Sequence, residues 1–226
     1  MIEELATLFE EYRILGAFWV TVQLTVLSAI GSLIWGTVLV AMRVSPVPVM
    51  RWFGTAYINV IRNTPLTVII VATSLGLWQT MGVTMGAERF DTIGFRLAVL
   101  GFIAYTACFV CESLRSGINT VQVGQSEAAR ALGLGFAQVL GHIVLPQAFR
   151  SVIGPLASVM IALTKNTTIA AAIGVGEAAL LMKEMIENEA DLLFLITGIF
   201  ALGFVCLTLP TGLILGWISN RVAVKR

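Results

Sequence analysis

Residues 18–42 run for 25 positions without a charged side chain. A helix rises about 1.5 Å per residue, so this stretch can cross the roughly 30 Å hydrocarbon core of a bilayer with some tilt. The chain ahead of it reads Met-Ile-Glu-Glu and then adds Glu10 and Glu11. A secretory leader would carry basic residues there and a shorter apolar core. The stretch is therefore expected to be a retained transmembrane helix. Four further spans are predicted at about 53–78, 97–113, 152–175 and 192–217. The expected fold is an all-α integral membrane protein with five transmembrane helices, forming one membrane domain over 1–226. Only 12% of the residues are charged, about half the share in soluble domains. That excludes a disordered chain, a nucleic-acid-binding protein and an ordinary soluble enzyme.

Five spans put the termini on opposite sides, and charge orients them. With the N-terminus outside, the outer segments 3–13, 88–96 and 177–191 carry four Lys or Arg, and the inner segments carry nine. Net charge is −7 outside and +7 inside, leaving Lys165 within the fourth span to make the total of +1. The positive-inside rule then predicts a multi-pass plasma-membrane protein, N-terminus out and C-terminus cytoplasmic. The three cysteines, Cys108, Cys111 and Cys206, form no even disulfide framework. Cys108 and Cys111 lie one helical turn apart in an apolar span, and the single histidine, His142, is 31 residues further on. Small apolar filler is the expected role, with no metal site.

The cytoplasmic segment 114–150 is too long for a simple connection. Gln125-Ser126 offers a helix cap, and Glu127 would then sit in the first turn, where the helix dipole favours a carboxylate. Gly133 should stop this short helix. After Gly135, residues Phe136, Val139, Leu140, Ile143 and Val144 recur on one face of a second helix, which Pro146 should end. A short exposed helix, a glycine corner and an amphipathic helix suit a docking element better than a solvated linker. In the outer segment 177–191, Ala178, Leu181, Met182, Met185 and Ile186 share a face, as in an interfacial helix; a contact surface for an extracellular partner is the alternative.

Glu127-Ala128-Ala129, then Gly133 after three residues, then Ile143-Val144-Leu145-Pro146 after nine more, resembles the EAA signature of permease subunits in ABC importers. Every fixed position is present. Tyr57–Leu66, reading YINVIRNTPL, and Leu163–Thr168, reading LTKNTT, resemble the polar-amino-acid branch of that family. Thr168 stands where the branch usually has serine. Tyr105, Glu112 and Arg115-Ser-Gly-Ile, leading to Gly124-Gln125, also look like this branch. In overall wording the chain resembles the glutamate importer permeases of actinobacteria.

The resemblance implies a MetI-like type I importer fold and a role in ATP-driven amino-acid uptake, most like glutamate uptake. Implied partners are a second, homologous permease, a dimer of ATPase subunits, an extracytoplasmic amino-acid-binding lipoprotein and membrane lipid. The chain is not expected to be an enzyme or to hold a cofactor. It has no G-x-x-x-x-G-K-[ST] to cradle ATP phosphates, so ATP belongs to the partner. Coupling to the ATPase would fall to Glu127, Ala128, Ala129, Gly133, Leu134, Gly135, Ile143 and Pro146.

The polar residues within spans are candidates for the substrate pathway: Arg62, Asn63, Thr64, Lys165, Asn166, Thr167 and Thr168. An unpaired lysine at mid-bilayer costs about 2.5–3.5 kcal/mol on insertion scales, so Lys165 needs a partner or water. Substrate contact and an interhelical lock both stay open. Arg62 could line the pathway, pair with another span or snorkel. Glu112 and Arg115, three apart on one helix face, are expected to pair with each other. Gly212 and Gly216 form a GxxxG suited to close packing. An ion-coupled secondary transporter, using Glu112, Arg62 or Lys165 as a proton relay, is the alternative function.

Overall fold

The computed structural model describes residues 8–222. Every regular element among them is helical: α1 Ile14–Val44, α2 Pro48–Arg62, α3 Leu66–Thr80, α4 Phe90–Ile118, α5 Val123–Ala131, α6 (136–151), α7 Ile153–Ile173, α8 Ala178–Asn188 and α9 Leu193–Val222. The N-terminal carboxylates Glu3 and Glu4 and the basic pair Lys225 and Arg226, both used for orientation, lie outside the described residues. Helices α1, α4 and α7, together with Ala190–Ser219, are long and apolar enough to cross a membrane.

The second expected span, 53–78, is not one straight helix. It divides into α2 and α3, bent by 103° at Asn63–Pro65. Proline disfavours helical geometry in the residue before it and brings no N–H to continue the ladder. The orphan carbonyls at the end of α2 are met locally. Asn63 Nδ2 donates to the Asn59 carbonyl at 2.7 Å and Thr64 Oγ1 to that of Val60 at 2.8 Å. Beyond the break, α3 continues from an α-helical turn into a π-helical stretch, Thr73–Thr80.

The described residues fall into two compact units. One comprises 8–28, 66–102 and 162–209; the other comprises 29–65, 103–161 and 210–222. In the first, Leu8, Ile14, Ala178, Met185, Ile196 and Phe200 form a core, with Phe18 stacked on Phe200 at 5.5 Å between ring centroids. The apolar face of α8 is spent here, on its own unit. It therefore does not lie bare as an interfacial helix, and its acidic residues point away.

In the second unit, Leu39 and Val40 of α1, Ile58 of α2, Leu114 of α4 and Leu156 of α7 form a core with Cys108 and Cys111, both free thiols. Backbones approach closely where glycine allows it. A Cβ at Gly117 would sit 2.6 Å from the Ala148 carbonyl oxygen, and one at Gly36 would sit 2.6 Å from Val110. Of the GxxxG pair, a Cβ at Gly212 would meet Ile161 at 3.2 Å, while Gly216 faces open space within its unit.

Candidate functional site

The segment after α4 is built as a rigid corner. Helix α5 begins at Val123, three residues before the expected cap. Ser126 does not cap it; its hydroxyl donates to the Val123 carbonyl at 2.7 Å. The far end follows the expectation at Gly133, whose φ of +87° is left-handed. The Gly133 N–H donates to the Arg130 carbonyl at 2.9 Å, and that of Leu134 to the Ala129 carbonyl at 3.1 Å. These two bonds are the Schellman closure, which needs a residue free to take positive φ.

Gly135 then opens α6, its N–H donating to Gln138 Oε1 at 2.9 Å. Helix α6 does not stop at Pro146. It runs as Phe136–Val139, a π-helical turn Leu140–Val144, and Leu145–Ser151. In that wide turn the Leu145 N–H reaches the Leu140 carbonyl, five residues back. The extra residue makes room for the Pro146 ring and lets the helix continue past a missing donor.

Ala129, Val139, Leu140 and Val144 are buried together, with Leu134, Phe136 and Ile143 beside them and Ala41, Val44, Ile118 and Val121 packed on the cluster. The corner is thereby tied to the ends of α1 and α4. Gln147 Nε2 also donates to Gln125 Oε1 at 2.6 Å, linking α6 to α5. The opposite surface of α5 is bare. Glu127 and Ala128 are exposed, and Leu132 is 83% exposed.

Of the intramembrane candidates, Arg62, Asn63 and Thr64 belong to the second unit and Lys165 to Thr168 to the first. Arg62 Nη1 meets Glu112 Oε1 at 2.6 Å. Glu112 therefore pairs across helices with Arg62, and not within α4 with Arg115; the short charge-assisted bond outcompetes a pair three residues apart. Asn63 and Thr64 are occupied as helix-end donors. Thr167 is fully buried and donates to the Thr164 carbonyl at 2.7 Å; Thr168 donates to the Lys165 carbonyl at 2.8 Å. Asn166 is half-buried and Lys165 is exposed, and the Lys165 ammonium has no ion pair among the described residues.

Residues 32–224 match the family of binding-protein-dependent transport system inner membrane components. The chain belongs to this family. Two glutamate transport system permease proteins named GluC are its relatives. The one from Corynebacterium efficiens is 60% identical, over 94% of this chain and 95% of the relative. The one from Corynebacterium glutamicum is 58% identical over the same shares. Among solved structures, an amino acid ABC transporter with histidines superposes with a TM-score of 0.76 at 26% identity, covering 96% of this chain and 97% of that one. An inward-facing MetNI methionine ABC transporter superposes at 0.73 and 17% identity, covering 93% and 96%, a likeness of fold alone. The fold is MetI-like, and the chain is a multi-pass permease of the inner membrane.

One residue of this permease was illegible as a site in its sequence. Glu177 is fully buried at the N-cap of α8, accepting from the N–H of Ala179 at 2.9 Å and of Leu180 at 3.1 Å. Thr21 of α1 donates to the same carboxylate at 3.4 Å. The Ala178 N–H donates in turn to Thr21 Oγ1 at 3.2 Å. Burial pushes the Glu177 carboxyl above the usual carboxylate range, partly offset by the two backbone amides and the threonine. Glutamate is not among the preferred N-cap residues, so the sequence pattern marked it only as one more outer charge. The left-handed Gly174, three residues earlier, was the available signal of a helix boundary.

Proposed function

We propose that this permease is the membrane subunit of an ATP-driven glutamate importer. In this reading it forms part of the translocation pathway, with its N-terminus outside, and takes its driving force from a separate ATPase dimer through α5. A second, homologous permease completes the pathway, and an extracytoplasmic binding protein delivers the substrate. Two permeases named for glutamate transport, alike along nearly the whole chain, support the substrate.

The coupling role is carried by one observation. Glu127 and Ala128 stand on the exposed face of a helix whose other face, with Ala129, is locked to the second unit by a Schellman closure and a buried apolar cluster. A lever needs both properties: a free surface for the partner to grip and a stiff root. When the ATPases close on ATP they would draw α5 with them. The rooted corner would pass that displacement to α1, α4 and, through α6, to α7. Coupling then needs no chemistry in this chain, consistent with its lack of a phosphate-binding loop.

The test is uptake by proteoliposomes holding this permease with its co-purified partners. Glutamate should accumulate only with ATP on the ATPase side. Accumulation driven by an ion gradient without ATP would instead establish a secondary transporter.

A further inference from the structure

The second unit carries an apolar groove on its surface. It has a volume of about 320 Å³ and is lined by Leu33 of α1, Ile153, Leu156 and Met160 of α7, and Leu215 and Ile218 of α9. Arg150, at its end, is the one charged lining residue. Ile153, Leu156 and Met160 follow the three- and four-residue spacing that keeps one helix face in line. From Ile153, where α7 begins, to Met160 is seven residues, or about 10 Å of helix rise, which lies within one half of the roughly 30 Å hydrocarbon core. The groove therefore fits within one leaflet, with its cation just ahead of the span Ile153–Ile173.

A second cation stands on the same side of the membrane. Arg150 precedes the span Ile153–Ile173, and Arg221 follows the next span, Ala190–Ser219. Two successive crossings return the chain to the side it left, whichever way the protein is oriented. Arg221 lies three residues, about one helical turn, beyond Ile218, and its guanidinium sits 4.1 Å over the ring of Trp217. Trp217 is 56% exposed, an aromatic placed as at a membrane interface. The Arg150 guanidinium is exposed and has no carboxylate partner among the described residues. An apolar slot that fits within one leaflet, with two arginines and an interfacial tryptophan at one end, suits part of an acyl chain of a phospholipid with a negative headgroup.

We propose that this groove binds an acyl chain of an anionic phospholipid, whose phosphate rests at the Arg150 and Arg221 end. The test uses the intact transporter complex reconstituted in vesicles of equal phosphatidylglycerol and phosphatidylcholine, extracted in mild detergent and weighed by native mass spectrometry. The wild type should retain phosphatidylglycerol in preference to phosphatidylcholine. Arg150→Gln combined with Arg221→Gln should reduce the retained phosphatidylglycerol at least fivefold, and Arg150→Lys should keep it. Ile153→Trp, which fills the slot while leaving both arginines, should also lose the lipid. Unchanged retention in the double variant would overturn the proposal. So would efficient cross-linking of Ile153→Cys to the second permease subunit, since the groove would then be a protein interface.

Discussion

Glu177 is a buried carboxylate that ties the N-terminus of α8 to Thr21 of α1. Because its folded pKa lies above the unfolded value, the folded state holds the proton more readily. Its contribution to stability is fullest at low pH and is lost as pH rises through the folded pKa. Glu177→Gln removes the titration and keeps an acceptor for the cap. The wild type should therefore gain thermal stability relative to Glu177→Gln as pH falls, a comparison that cancels the other carboxylates. A difference in Tm that stays constant across pH would contradict this. Lys165 is exposed on a membrane helix, where contact with lipid is costly; water in the pathway or a second subunit are the settings that relieve it. Lys165→Met should raise the KM for uptake several-fold without altering affinity at the binding protein. Lower protein yield at unchanged KM would mark Lys165 as structural.

The corner formed by α5 and α6 is the element on which coupling turns. A Cβ at Gly133 would meet no atom within 4 Å, so a side chain there is opposed by backbone conformation and not by crowding. A left-handed residue other than glycine costs about 1–2 kcal/mol, and aspartate is among the more tolerant. Gly133→Asp should therefore assemble in the membrane near wild-type levels and lose ATP-driven uptake, because the Schellman closure fixes the angle of the lever. Full uptake by this variant would show that the angle does not matter. Much of this element was legible in the sequence: a glycine stop, an apolar face and a spaced signature. Its start and its continuation past Pro146 were not. The first depends on backbone geometry before Ser126 that no side-chain pattern records. The second depends on a π turn that supplies the room a proline needs, and only the surrounding packing holds such a turn.

The molecule is a multi-pass permease, and the loop count of basic residues predicts an outward N-terminus. With a membrane-impermeant maleimide on intact cells, and Cys108, Cys111 and Cys206 replaced, Glu187→Cys should label directly. His142→Cys should label only after permeabilisation. The reverse pattern would invert the topology. Length and hydropathy alone identified α1, α4, α7 and α9 as membrane helices, because an uncharged run of some 20 residues has few other stable homes. The positive φ at Gly133 could be read the same way, since a helix stop and its conformation are properties of neighbours in sequence. Other features depend on residues far apart in the chain. They include the partner of Glu112, 50 residues away, the burial of Glu177 against Thr21, 156 residues away, and the covered face of α8. The 103° break at Pro65 belongs between the two classes. A proline announces that a helix can end, but the direction in which the chain leaves is set by the packing that follows.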